Sequence, residues 1–414
     1  MRSADAKTLL RPHYPALDGL RGVAVLSVCL THYCTIAWPG LHDVFFWGFS
    51  TVDLFFVLSG FLITGILYDT RPFPRFFRNF YIRRALRILP VFLLVWAVLF
   101  AIAAFLHPVW DRYQLSFLIY LGNLFMAGGA AGYHTDPSYF YYVSASGHRF
   151  YATIGHLWTL CQEEQFYLVW PLVMWLVRSR RVLFWGCLAG AGMVLGLRFW
   201  LLFFGDPRLI AGDLLYDSPF TRFDSHLIGA ALALYLRGPQ FLQATVDSVR
   251  RRGRWLLGGA TGLFVLVQVA IGGRWPLTHH HPVVSTVGFT LDCVASAGLL
   301  LACLDKGTWA ARLLGTRGLM AIGRVSYGFY VFHFLPVQFF KNQRPWAERQ
   351  GLLWAIPVVA LGLSYAAAVV SFRWLEGPVL ELKRRWAPGP RAARQLVVAG
   401  GADAPSLHEG RKRS

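Results

Sequence analysis

Leu17-Asp18-Gly19-Leu20-Arg21-Gly22, followed by a largely apolar run to Thr31-His32-Tyr33, is the stretch that decides how this chain is read. A charged side chain inside a membrane helix costs a few kcal/mol or more, so it faces protein or a water-filled cavity. At about 100° per residue, Asp18, Arg21 and His32 fall on one side of a helix. Arg21 and His32 are then about 16 Å apart along its axis. A cation near one membrane surface, aligned with a titratable base deep inside, is a layout for catalysis or transport. Packing alone accounts for it poorly.

The rest of the chain agrees with a membrane setting. Of 414 residues 56% are hydrophobic and only 15% charged, the mean hydropathy is +0.45, and there are 16 Trp and 33 Phe. That is a multi-spanning composition rather than a soluble one. The formal charge of +19 raises the question of nucleic acid, but the basic residues cluster between apolar segments instead of forming one basic face. Membrane topology explains that pattern, so membrane lipids are expected as partners and nucleic acid is not. Cys29, Cys34, Cys161, Cys187, Cys293 and Cys303 all lie in or beside apolar runs without CxxC spacing. They read as small packing residues rather than disulfides or metal ligands. The first apolar segment is too long, and too charged at Asp18 and Arg21, for a cleavable leader.

Apolar stretches at 17–37, 44–68, 88–107, 156–177, 182–204, 254–272, 283–304, 323–341 and 351–375 are span candidates. Two weaker ones are 219–236, which carries Arg222, Asp224 and His226, and the short 114–128. Charge decides between them. Arg71, Arg75, Arg78, Arg83, Arg84 and Arg87 crowd one connection, and Arg178, Arg180 and Arg181 the next basic one. Further clusters are Arg237 with Arg250, Arg251, Arg252 and Arg254, then Lys306, Arg312, Arg317 and Arg324, then Lys383, Arg384 and Arg385. All are cytoplasmic if 219–236 spans and 114–128 does not. The expectation is an all-α polytopic membrane protein of about ten transmembrane helices with both termini cytoplasmic. Residues 108–155 form its largest outer element, and Asp206, Asp213 and Asp217 lie on another outer loop. Residues 1–380 make one membrane-embedded domain. Residues 381–414 form a basic cytoplasmic tail, disordered by composition.

Four further clusters carry chemistry. Arg84 and Arg87, three apart at a cytoplasmic helix mouth, share a face and can grip phosphate groups or mark topology against lipid headgroups. Glu163 and Glu164 sit together in the outer third of a span within His156-Leu157-Trp158-Thr159-Leu160-Cys161-Gln162-Glu163-Glu164-Gln165-Phe166-Tyr167, a costly placement for two carboxylates. Asp53, in an aromatic span, is either functional or paired with an arginine such as Arg21. His333 lies mid-span in Ser326-Tyr327-Gly328-Phe329-Tyr330-Val331-Phe332-His333 and is either catalytic or hydrogen-bonded within the bundle. His279-His280-His281 reads as a solvated outer loop, and no metal site is expected.

Taken in order, these stretches resemble the acyltransferase 3 family of integral membrane O-acyltransferases. The matching positions are Leu17-Asp18-Gly19-Leu20-Arg21-Gly22 with His32, Phe55 to Ile63, Arg83-Arg84-x-x-Arg87-Ile88-x-Pro90, Trp158 to Tyr167, and Ser326-Tyr327-Gly328-x-Tyr330-x-x-His333. Arg222-Phe223-Asp224 with Gly229, and Trp374-Leu375-Glu376-Gly377-Pro378, match weaker signatures. Thr159-Leu160-Cys161 departs from the serines usual in the family and leaves Glu163 in place. The resemblance implies a ten-helix enzyme of the cell membrane moving an acyl group, often acetyl, onto a hydroxyl of a sugar, glycan or other small acceptor. It implies cytoplasmic acyl-coenzyme A as donor substrate, no tightly bound cofactor, and functional roles for Arg21, His32, Arg84 and Arg87.

On that reading Arg84, Arg87 and Arg83 hold the donor phosphates and Arg21 guides the thioester arm. His32 acts as general base on the acceptor hydroxyl, and Glu163 orients the imidazole or the acceptor, with Asp18, Asp53, Tyr327 and His333 as further functional positions. An acyl-histidine intermediate is the competing chemistry. The rival class is a transporter of a sugar, lipid-linked intermediate or anion, because buried Arg, His, Asp and Glu also serve proton-coupled carriage.

Overall fold

The structure is a computed structural model and describes residues 9, 11, 13–41, 47–106, 112–129, 139–143, 149–205, 214–270 and 281–387. Its main helices are α1 (Pro15–Ala37), α2 (Trp47–Thr70), α3 (Phe76–Leu106), α4 (Trp158–Leu176), α5 (Arg180–Phe204), α6 (Pro219–Tyr235), α7 (Val246–Ala270) and α8 (Phe289–Leu304). Then follow α9 (Arg317–Arg324), α10 (Ser326–Phe332), α11 (Leu335–Arg349), α12 (Ala355–Ser371), α13 (Gly377–Glu381) and α14 (Lys383–Trp386). Pro15 opens α1 in the first turn, where its missing N–H costs nothing, and Asp18 adds negative charge at the same end.

Among the described residues seven helical stretches are long and apolar enough to cross a membrane: Pro15–Ala37, Ser50–Thr70, Phe76–Ala101, Arg180–Phe204, Val246–Ala270, Val284–Leu304 and Ala355–Glu381. The outer helices present large apolar side chains outward, among them Trp185, Phe203 and Phe204 on α5 and Trp255 and Leu266 on α7. An apolar periphery on this scale belongs against lipid. α4 and α6 interrupt their apolar surface with Gln162, Glu163, Glu164, Arg222 and Asp224, and these residues turn inward or toward cavities.

Two expected elements take a different form. The stretch 323–341, read as one continuous span, is broken twice: between α9 and α10 at Val325, and between α10 and α11 at His333 and Phe334. Pro336 in the first turn of α11 explains the second break, since proline lacks an N–H and its ring clashes with the preceding turn. Residues 114–128 form no single helix. A helix at Arg112–Ser116 and a 3-10 turn at Phe117–Ile119 end at Tyr120, whose φ is 57°, before a second helix at Gly122–Gly129. The described part of 108–155 also holds an antiparallel hairpin, Tyr139–Val143 against Arg149–Thr153, with Tyr141 opposite Tyr151. The outer residues Asp206 and Asp213, most of the 273–282 loop, and the tail from 388 onward lie outside the described residues.

Close helix contact sets the interior. α2 runs along α6 and α1, and α6 also packs on α5. A Cβ on Gly229 would stand 2.0 Å from the Val57 carbonyl oxygen, so glycine is what permits the α2–α6 approach. Gly19 does the same for α1, where a Cβ would stand 1.7 Å from the carbonyl oxygen of Leu314. The glycine of the opening motif is therefore there for packing. Two ion pairs lock the same interior: Arg222 to Asp53 at 2.7 Å and Arg198 to Asp224 at 2.6 Å, all four at most 1% exposed. Arg198 also donates to the Thr221 carbonyl and to Thr290, while the Arg222 guanidinium lies 3.8 Å from the Phe289 ring centroid. Asp53 thus pairs with Arg222, not with Arg21.

Candidate active site

Three cavities follow one another through the protein, each sharing residues with the next. The outer basic chamber, about 240 Å3, is lined by Arg83, Arg84, Arg87, Lys383 and Asn79 against Phe73, Phe76 and Phe80. Arg84 and Arg87 also line a middle chamber of about 110 Å3 with Arg21, Ser59, Glu163, Tyr167, Tyr327 and Tyr330. Val52 and Tyr330 of that chamber line a third cavity, again about 110 Å3, with His32, His156, Trp158, Tyr216 and Phe334. The continuous helix α1 carries Arg21 into the middle chamber and His32 into the third.

In the middle chamber α1, α2, α3, α4 and α10 converge. The Arg84 guanidinium lies 5.1 Å from the Tyr167 ring centroid. The Tyr167 hydroxyl donates to Glu163 Oε2 at 3.1 Å and lies 2.5 Å from Ser59 Oγ. With the tyrosine proton committed to the carboxylate, the serine donates to the tyrosine oxygen. Tyr327 donates to the Ile88 carbonyl at 2.8 Å, beside Pro90 in α3. Arg21 is 3.5 Å from Asp18, which also meets His13 at 2.8 Å at the partly exposed start of α1. Asp18 thereby anchors Arg21 and lines none of these three cavities. Glu163 stands among the arginines of the middle chamber, whereas His32 lines the third cavity. His156, in the 3-10 turn seven residues before Glu163, is the residue of this stretch that lines the cavity with His32.

His32 and His156 line the third cavity, and His333 packs against both. The His32 and His333 ring centroids are 5.4 Å apart, and those of His333 and His156 are 5.3 Å apart. Phe334 stacks on His156 at 4.8 Å and meets His32 edge-on at 4.9 Å. The proline break orients this cluster. At the end of α10, the Tyr330 carbonyl faces His333 Nδ1, the Val331 carbonyl faces His156 Nε2 at 3.2 Å, and the His333 carbonyl accepts from the Tyr33 hydroxyl at 2.6 Å. A carbonyl oxygen only accepts, so the facing ring nitrogens carry the protons. His333 Nε2 and His156 Nδ1 are left as buried lone pairs without a protein partner. His32 is half-buried and reaches the cavity. Among the described residues no group of three His, Cys, Asp or Glu side chains is arranged to hold a metal ion.

Sequence patterning gave no role to His156, Ser59 or Tyr167. The available signal was Pro336: a proline three residues after an intramembrane histidine announces freed carbonyls that nearby side chains must satisfy.

A polytopic membrane protein with a cationic mouth, a polar middle chamber and a histidine-lined far chamber has the equipment of a membrane transferase. The family described as an acyltransferase domain matches residues 14–373, and the chain belongs to that family, the acyltransferase 3 family of multi-pass cell-membrane enzymes. Among curated relatives, the chain is 28% identical over 401 residues to the "Putative peptidoglycan O-acetyltransferase YrhL" of Bacillus subtilis, covering 90% of this chain and 56% of that protein. It is 24% identical over 383 residues to the "Peptidoglycan O-acetyltransferase OatA" of Listeria monocytogenes, covering 89% of this chain and 56% of that protein. The chain thus spans a little over half the length of these relatives. No solved structure matches.

Proposed function

We propose that this chain is a membrane O-acyltransferase that moves an acyl group, acetyl in the simplest case, from cytoplasmic acyl-coenzyme A to a hydroxyl of a glycan acceptor. The observation that carries this reading is the series of shared cavities running from Arg84 and Arg87 to His32. The names of the relatives support the acetyl group and the glycan as the chemical classes.

In the proposed reaction the donor phosphates rest on Arg84 and Arg87 by charge-assisted hydrogen bonds. The thioester arm passes Arg21, Ser59 and Tyr167 and presents its carbonyl to His32. His32 takes the proton of the acceptor hydroxyl as that oxygen attacks the carbonyl carbon. The tetrahedral intermediate then expels the thiolate, breaking the C–S bond, and the proton passes from His32 to sulfur. No net proton is gained or lost. On the topology expected from charge placement, ten spans with both termini cytoplasmic, donor and acceptor enter from opposite sides.

Reconstituted full-length protein with labelled acetyl-coenzyme A and glycan fragments tests the reading. Label should enter the glycan and His32→Ala should lower the rate by about 10²–10⁴-fold, the worth of a positioned base. Near-normal transfer by His32→Ala would remove the base assignment, and label retained on the protein without acceptor would favour an acyl-histidine. Transport of intact donor without thioester cleavage would overturn the enzyme reading.

A further inference from the structure

Lys383 lines the basic chamber with Arg83, Arg84 and Arg87. α13 and α14 fold back against α3, and Arg83 Nε donates to the Ala387 carbonyl at 3.0 Å, which fastens this end of the chain over the arginine cluster. Arg84 and Arg87 border both the outer and the middle chamber, whereas Arg83 and Lys383 border the outer one only. Among the described residues no carboxylate forms an ion pair with any of these four cations, although carboxylates neutralise Arg21, Arg198, Arg222, Arg237 and Arg250. Four unneutralised cations around one cavity call for more than one anionic group.

We propose that Lys383, together with Arg83, binds a phosphomonoester set apart from the pyrophosphate held by Arg84 and Arg87, and so makes the enzyme select a 3′-phosphorylated donor. The inference rests on the coenzyme A reading above. In that molecule the acyl-bearing arm leaves from the pyrophosphate, and the ribose 3′-phosphate lies on the side away from it. The order of the cations matches: the shared arginines stand where the arm enters, and Arg83 and Lys383 stand behind them. The aromatic wall of Phe73, Phe76 and Phe80 offers the adenine a surface on which to lie.

The site also titrates. Burial, then the charges of Arg87, Arg84 and Arg83, hold the Lys383 ammonium down to about 7. The groups facing it are those three arginines on α3; Glu381 and Arg385, on its own stretch, are exposed. A bound phosphate favours the ammonium form, so affinity is full below pH 7 and falls as pH rises above it. The second ionisation of the phosphomonoester, near pH 6, pulls the other way.

The test compares acetyl-coenzyme A with its 3′-dephospho form on the reconstituted full-length protein. Wild type should prefer the phosphorylated donor at least 10-fold in kcat/KM at pH 7. Lys383→Met should bring that ratio close to one, and Lys383→Arg should keep it. Between pH 6.5 and 8, KM for the phosphorylated donor should rise several-fold in wild type, and the rise should be absent in Lys383→Arg, whose charge does not titrate. A wild-type preference unchanged in Lys383→Met overturns the proposal and leaves Lys383 as a lipid-headgroup contact. Equal use of both donors by wild type also overturns it while the donor class stands. Use of neither donor overturns the donor reading itself, and this inference with it.

Discussion

His333 keeps its Nε2 buried without a protein partner, its ring 5.4 Å from that of His32, because its Nδ1 is turned onto the carbonyl of Tyr330 at a proline-induced helix break. Sequence, backbone and chemistry are linked in that one contact. Pro336 interrupts the helix, the interrupted helix offers carbonyls, and the carbonyls fix which ring nitrogen carries a proton.

The first prediction concerns that ring. His333→Asn keeps a donor for the Tyr330 carbonyl but replaces the basic second nitrogen by a non-basic amide oxygen. If His333 assists proton movement at His32, this variant folds like wild type and loses about 10²-fold in kcat with little change in KM. If His333 only closes the helix break, Asn restores activity while His333→Ala does not. Steady-state kinetics beside thermal stability in detergent separates the two.

The buried pair Asp53–Arg222 gives a stability prediction. Removing one partner leaves an uncompensated charge in the interior, at a cost of about 3–5 kcal/mol. Asp53→Asn should therefore lower Tm and the folded yield markedly. The double variant Asp53→Asn, Arg222→Met removes both charges and should recover most of the loss. Equal damage in the single and double variants would show that the carboxylate does something other than neutralise Arg222.

Gly229 predicts sensitivity to a single methyl group. In Gly229→Ala the added Cβ meets the Val57 carbonyl oxygen at 2.0 Å, and neither backbone can yield without parting α2 from α6. Overpacking of this kind costs about 1–3 kcal/mol or more. Gly258→Ala on α7, where a Cβ meets nothing within 4 Å, is the control and should be silent in the same thermal assay.

Much of the architecture was written in hydropathy and charge. The all-helical membrane class and the rejection of 114–128 as a span follow from apolar length and arginine placement, and the backbone turn at Tyr120 gives the rejection its physical form. Arg21, Arg84 and Arg87 are legible because arginines beside apolar runs stand out, and the structure places all three on one chamber. Partner choice was less legible. Asp53 was matched to Arg21 as one candidate, yet α6 carries Arg222 closer, and only tertiary packing decides which helix face meets which. Glu163 and His156 are seven residues apart, and spacing alone does not say that the first lines the middle chamber and the second the cavity of His32. The break in 323–341 was signalled by Pro336, but its effect on His156, 175 residues from Val331, is a long-range contact that no local pattern records.

The break at Pro336 also bears on the path of a proton. Backbone carbonyls take one nitrogen of His333 and one of His156, so a proton arriving at either ring has a single free nitrogen at which to land and the same nitrogen from which to depart.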